Sequence, residues 1–294
     1  MQAPRFIVAP DAKPLSVKTV AASMLTIAAG VFVALSVLLY FGQERLIFFR
    51  QPLDPGRRDS VMQRFPNVEE VNLVAEDGTR LHGFLSKPPA VAGTKFPLVI
   101  YFGGNAEEAS WLLEEGDRPQ NWAWLVVNYR GYGWSEGSPG EKAMVADARR
   151  IHDWTRSRSD VEHSRIVAFG RSLGSGVAVR LASERPLAGM VLATPFDSLE
   201  SVAKRHYPLA PVSLLLRHRF DSLDLAPSIG VPMLCIVAER DSIIPAEHAR
   251  RLHAAWQGDK RLVSIANADH NDVSATPAFW REIGDFLSRI PGVH

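Results

Sequence analysis

Two kinds of apolar patterning divide the chain. Residues 19–43 contain no charged side chain, and 20–41 are mostly Ala, Val, Leu, Ile and Phe. As a helix rising about 1.5 Å per residue, that run reaches roughly 33 Å, enough to cross a hydrocarbon core of about 30 Å. The hydroxyls of Ser23, Thr26 and Ser36 interrupt it, and each can bond back to the helix backbone. The run outlasts the roughly 7–15 apolar residues of a signal peptide, and no small-x-small cleavage pattern follows it. The pattern therefore predicts a tail over 1–18 and a retained transmembrane anchor over 19–43, with membrane lipid as its partner. Arg5, Lys13 and Lys18 on one side nearly balance Arg45, Arg50, Arg57 and Arg58 on the other, which leaves the side of the membrane open. Residues 44–66 form a juxtamembrane connector. Its run Leu46-Ile47-Phe48-Phe49 lies in the lipid interface or packs on the domain beyond.

Past the connector the pattern changes to short Val- and Ile-rich runs alternating with helical periodicity. Runs at 68–75 and 80–86 flank Glu76-Asp77-Gly78-Thr79, a hairpin turn signal. Near-continuous apolar strands follow at 96–102, 124–128, 166–169, 190–193 and 233–238, with a weaker one at 261–265. Helices are expected over 141–158, 172–183, 246–256 and 276–290. Strands alternating with helices predict an α/β fold over 67–294, with a mostly parallel central sheet and helices on both faces. Residues 196–229 are left for a small helical cap. There Tyr207, Leu209, Val212 and Leu214-Leu215-Leu216 stand among Lys204, Arg205, Arg217 and Arg219. Such a cap could lay an apolar underside on an acyl chain and turn a basic rim to anionic lipid, or its leucines could simply pack on the domain.

Composition narrows the chemistry. With 33 Lys+Arg against 32 Asp+Glu, the charge of +1 argues against nucleic acid as a partner. The single cysteine, Cys235, excludes an internal disulfide and a thiolate metal cluster. The sequence has neither a GxxxxGK[ST] phosphate loop nor an HExxH zinc motif, and no cofactor or metal is implied.

The pattern G-x-S-x-G occurs twice, at Gly170-Arg171-Ser172-Leu173-Gly174 and at Gly133-Trp134-Ser135-Glu136-Gly137. A nucleophile elbow needs a strand running into the serine and a helix leaving it. Ser172 has both, in 166–169 before it and 175–182 after it. Ser135 is separated from its strand by Gly131, Tyr132 and Gly133, and Gly137-Ser138-Pro139-Gly140 cannot start a helix, so it is a loop residue. The alternative for Ser172 is an ordinary helix N-cap.

A serine nucleophile needs a base and a group that orients the base. In this architecture the chain order is Ser, acid, His. His206, His218, His248 and His253 fall in helical stretches, and His294 is the last residue. His270 alone lies in a loop after a strand, and it is the expected base. Asp241, on the loop leaving 233–238, is the expected acid, with Glu239 as runner-up; the alternative role for Asp241 is a charge at a helix start. Asp269 and Asp272 are too near His270 in sequence to be first choices. Oxyanion donors are expected from the backbone N–H groups of Leu173 and Asn105, the latter in the loop Gly103-Gly104-Asn105-Ala106.

Together these residues resemble the α/β-hydrolase superfamily. The closer resemblance is to membrane-anchored α/β-hydrolase-domain proteins related to serine-aminopeptidase-like hydrolases and acyl-protein thioesterases. It rests on YFGGNA at 101–106, NYRGYGWSEG at 128–137, GRSLG at 170–174, DSIIP at 241–245 and HND at 270–272, following an N-terminal anchor and the run ERLIF at 44–48. It spans almost the whole chain, and five motifs in order are far more specific than one. The family's oxyanion loop usually begins His-Gly-Asn, and here Gly103 stands at the His position. The resemblance implies a membrane-anchored serine hydrolase acting on carboxylic esters or thioesters. The rivals are an aminopeptidase, for which Glu107 or Glu108 would have to bind a free amine, and a non-catalytic membrane scaffold that keeps the fold.

Overall fold

Alternation along one central strand sets the layers. In β3 (Phe96–Phe102), Leu98, Ile100 and Phe102 join one buried cluster, while Val99 and Tyr101 join a second on the opposite face. A period of two sends successive side chains to opposite sides of a sheet, so a strand apolar throughout must be covered on both. The computed structural model describes residues 16–51, 54–89 and 93–292. The expected tail falls largely outside these, as does His294. The chain divides into two units, Met1–Gly42 and Gln43–His294.

In the first unit the apolar run forms most of helix α1 (Val17–Ile47), and its side chains up to Phe41 are almost all exposed. The last turn of α1 belongs to the second unit. That unit is built on an eight-stranded sheet in the order β1-β2-β4-β3-β5-β6-β7-β8. The strands β1 (Val68–Val74) and β2 (Arg80–Ser86) pair antiparallel around the expected turn, and β2 pairs antiparallel with β4 (Ala123–Val127). All remaining pairs are parallel, through β5 (Val161–Arg171), β6 (Gly189–Ala193), β7 (Met233–Ala238) and β8 (Lys260–Ile265).

On one face lie α3 (Glu141–Ser157), α4 (Leu173–Glu184) and α7 (Ala246–Ala255), contributing Met144, Ile151, Val177 and Leu252 to the core. The other face is covered by α8 (Pro277–Ser288) and α2 (Arg57–Arg64), through Phe279, Trp280, Ile283 and Val61. Helix α2 falls in the stretch expected to be a connector. Its sequence RRDSVMQR buries only Val61 and Arg57, too little periodicity to show in advance. The run 46–49 divides its roles. Phe48 is buried and meets the His218 ring edge-on at 5.2 Å, whereas Leu46 and Phe49 are exposed.

The cap segment forms α5 (Leu199–His206) and the single turn α6 (Val212–Leu215). Val212 is buried, Leu215 and Leu216 are half-buried, and Tyr207, Leu209 and Leu214 are exposed. His218 lies in irregular chain after α6 and not in a helix; its Nδ1 accepts from the Glu141 N–H at the start of α3.

Candidate active site

Strand β5 ends at Arg171 and helix α4 begins at Leu173, with Ser172 alone between them at φ 50°, ψ −117°. A non-glycine residue held there costs on the order of 1–3 kcal/mol, which the surrounding structure must enforce. It does so by close packing of backbone. A Cβ on Gly170 would lie 2.4 Å from the Gly174 carbonyl oxygen, and one on Gly174 only 2.0 Å from that of Phe102. The Ser172 N–H donates to the Ala193 carbonyl at 2.9 Å, and the Ser175 hydroxyl donates to the Ser172 carbonyl at 2.6 Å. Ser172 stands at the N-cap position, but its side chain makes no capping bond. The hydroxyl is turned elsewhere.

It is turned to His270. Ser172 Oγ lies 2.9 Å from His270 Nε2, and His270 Nδ1 lies 2.7 Å from Asp241 Oδ2. The ring comes from the loop after β8 and the carboxylate from the loop after β7, and both side chains are buried. Asp241 Oδ1 accepts the N–H groups of Ile243 at 2.9 Å and Ile244 at 2.6 Å, which fixes the carboxylate plane. A carboxylate on Nδ1 holds the proton there and leaves the lone pair on Nε2 facing the hydroxyl. The arrangement can take a proton from Ser172 and hold the resulting positive ring.

The rejected candidates are engaged elsewhere. Glu239 pairs with Arg250 on the surface. Asp269 accepts from the Ser242 N–H at 2.8 Å and the His270 N–H at 2.7 Å, hydrogen bonds that hold its carboxyl below the usual range. Asp272 accepts from the Asp269 N–H. His206 is bonded to the Ile243 carbonyl, and His248 to the buried Asp197 at 2.7 Å. Ser135 is a buried loop residue. Its hydroxyl donates to the Asn128 carbonyl and accepts the His82 N–H, tying the loop to β2.

The loop after β3 comes up to Ser172 from the other side. A Cβ on Gly104 would lie 3.6 Å from Ser172 Cβ. Leu173, as the first residue of α4, has one of the N–H groups that a helix start leaves without an intrahelical partner. The Asn105 side chain is tied at both ends of its amide: Nδ2 donates to the Ile47 carbonyl at 2.7 Å, and Oδ1 accepts from the Phe49 N–H and the Tyr132 hydroxyl, each at 2.9 Å. Gly103, at the position where the resemblance leads one to expect His, is held by the Tyr129 hydroxyl on its carbonyl at 2.9 Å.

One site residue escaped the sequence. Glu107 accepts the Gly104 N–H at 2.7 Å and the Tyr101 hydroxyl at 2.6 Å, with Arg171 Nη1 at 3.4 Å. Burial, and then the charge of Glu107, pushes the Tyr101 phenol well above its ordinary range, so it stays a donor. The only signal was a carboxylate three residues after the second glycine of the loop, read as an amine ligand for a peptidase. Glu108 is likewise used internally, by Asn128 Nδ2 at 2.6 Å and by Ser110 and Arg57.

A strand–Ser–helix turn, with Asp and His on the two loops that follow in chain order, places this geometry among known proteins. The chain superposes on an esterase from Pyrococcus furiosus, Pf2001, with a TM-score of 0.65 over 83% of this chain and 99% of that one, at 20% identity. It is also 27% identical to the α/β-hydrolase domain-containing protein WAV2 of Arabidopsis thaliana, over 88% of this chain and 92% of the relative. The chain belongs to the α/β-hydrolase superfamily. Within the superfamily it shares a family with the uncharacterized protein Rv2307c of Mycobacterium tuberculosis, at 36% identity over 86% of this chain and 88% of that one. Another relative of this α/β hydrolase, 28% identical over 85% of the chain, is the uncharacterized membrane protein YNL320W of Saccharomyces cerevisiae. No family model matches the chain.

Proposed function

We propose that this protein is a membrane-anchored serine hydrolase that cleaves carboxylic ester or thioester bonds through an acyl-enzyme on Ser172. The observation that carries the reading is the continuous hydrogen-bonded line Asp241–His270–Ser172 at a strained strand-to-helix turn. His270 Nε2 takes the hydroxyl proton as Ser172 Oγ attacks the acyl carbonyl. The N–H groups of Leu173 and Asn105 receive the developing oxyanion. The C–O or C–S bond then breaks, and the imidazolium returns its proton to the leaving alcohol or thiol. A water, deprotonated by the same ring, attacks the acyl-serine, and the ring returns that proton to Ser172 Oγ as the bond to the acyl group breaks and the carboxylic acid leaves. Asp241 keeps its negative charge throughout and orients His270.

The anchor reading rests on the apolar stretch of α1 and on the yeast relative described as a membrane protein. An amine-recognising peptidase loses its candidates, because Glu107 and Glu108 already serve backbone and side-chain partners within the fold. The experiment compares wild type with Ser172→Ala on aryl esters, acyl thioesters and amino-acyl arylamides. Turnover of the first two and not the third, lost in the variant, is the expected result. Arylamide turnover alone would replace the ester reading by the peptidase one.

A further inference from the structure

The cap displays apolar side chains that the fold does not use. Among the described residues of the second unit ten large apolar side chains are exposed, and Leu209 and Leu214 are the most exposed of these, at 91% and 81%. Trp111, Trp134, Met62 and Val74 stand on other elements, and such single exposures are ordinary on a protein surface. Leu214 is different because it stands close to further apolar groups, and Leu209 adjoins one of them, Pro208, in the chain. Tyr207 and Leu214 line the same open groove of about 460 Å³, with Pro208 and Pro211 between them. The charge around them has one sign: residues 204–219 hold Lys204, Arg205, Arg217 and Arg219 and no Asp or Glu. Neighbouring carboxylates offset this only in part, Glu200 meeting Lys204 and Arg219, and Glu44 meeting Arg217. Apolar side chains rimmed by Lys and Arg are the make-up of a surface that lies in a lipid interface.

What covers this face follows from where the chain enters it. The Gln43 side chain donates to the Leu215 carbonyl at 3.1 Å and accepts the Arg217 N–H at 2.8 Å. Gln43 is therefore seated on the cap. It also comes only two residues after Phe41, the last residue of the apolar run. Two residues reach at most about 7 Å, so the end of the apolar run cannot be far from the cap at any helix tilt. Leu46 and Phe49, both exposed, come just after Gln43 in the same tethered segment.

We infer that Tyr207, Leu209 and Leu214, with Leu46 and Phe49, insert into the interface of the phospholipid bilayer that α1 enters. The cap is then a second membrane contact beside the anchor. The inference rests on reading α1 as a membrane span and does not depend on the chemistry assigned to Ser172.

The test uses the full chain in liposomes, carrying Leu209→Cys or Leu214→Cys labelled with an environment-sensitive fluorophore. Cys235 is completely buried, so the label goes to the new thiol. Ser157→Cys is the control. It is exposed at the end of α3, shortly before the start of β5, whereas Ser172 follows the other end of that strand. Bromine-bearing phospholipids should remove roughly half of the emission at 209 and 214, as for groups about 5–10 Å into the interface, and leave 157 unchanged. Vesicle flotation and resistance to alkaline carbonate check the anchor separately. Protein that floats but shows no more quenching at 209 and 214 than at 157 overturns the cap contact while leaving the anchor intact. Protein that does not float overturns both.

Discussion

Asn105 Nδ2 donates to the carbonyl of Ile47 at 2.7 Å, a bond that joins the loop beside Ser172 to the end of helix α1. The same amide takes the Phe49 N–H and the Tyr132 hydroxyl. The backbone proposed to hold the oxyanion is thus fixed by a side chain that also grips the end of α1 and the residues after it. Asn105→Ala leaves the backbone N–H in the chain but frees its position. Misplacement of a reacting group by about 1 Å costs up to roughly 100-fold. The expected result on a soluble aryl ester is a kcat lowered about 10- to 100-fold with KM little changed. A rise in KM with kcat unchanged would show that Asn105 shapes binding and not the oxyanion loop.

Asp241 and Glu239 leave the same strand two residues apart, and only Asp241 reaches His270. Replacing the orienting carboxylate of such a relay by an amide costs roughly 10⁴-fold in kcat, because the ring settles in the wrong tautomer. Asp241→Asn is expected to show a loss of that order, and Glu239→Gln almost none. Steady-state kinetics of the two variants side by side would reverse the assignment if Glu239→Gln were the damaged one.

Gly174 has no room for a methyl group, since a Cβ would stand 2.0 Å from the Phe102 carbonyl oxygen. The obstacle is backbone of the neighbouring strand and cannot rotate away. Gly174→Ala should lower stability by about 3 kcal/mol or more, the range of severe overpacking. Thermal unfolding in detergent measures it. An unchanged Tm would mean that α4 can shift away from β3.

Glu70 gives the fold an acid-sensitive element. Its hydrogen bond from Arg58 lowers its carboxyl, burial works the other way, and His82 adds a second bond; the outcome is a fall from 4.5 to about 2. A depressed folded value stabilises the protein above the unfolded one. That contribution is full above about pH 4.5 and is lost as pH falls towards 2. Glu70→Gln removes it, so the gap in Tm between wild type and variant should be widest near neutrality and close across that window. A gap independent of pH would mean that Arg58 and His82 do not depend on the charge.

The parts legible in the sequence are those where one physical demand dominates. A strand buried on both faces must be apolar throughout, and β3 and β7 fall on the expected bounds for that reason. Ser172 could be told from Ser135 because only Ser172 has a strand and a helix meeting at it. His270 and Asp241 could be chosen because loops at the strand ends are where such groups collect, and the structure brings His270 to Ser172 and Asp241 to His270. Other features depend on partners far along the chain. Strand β5 begins five residues earlier than its apolar stretch, because Val161 pairs with Phe96 across an irregularity in the ladder. The grip of Asn105 on Ile47 and Phe49, and of Gln43 on Leu215, spans 56 to 172 residues and leaves no periodic trace. His218 sits in a basic and apolar stretch that looks helical, yet packing on Phe48 and the start of α3 draws it out.

Trapping the nucleophile is the most direct measurement of the proposed chemistry. The full-length protein is treated with a fluorophosphonate and digested, and the modified peptide is mapped by mass spectrometry. One phosphonyl group on Ser172 is expected, absent from Ser172→Ala and slowed by Asp241→Asn. Equal labelling of wild type and Ser172→Ala, or an adduct on Ser135, would contradict it.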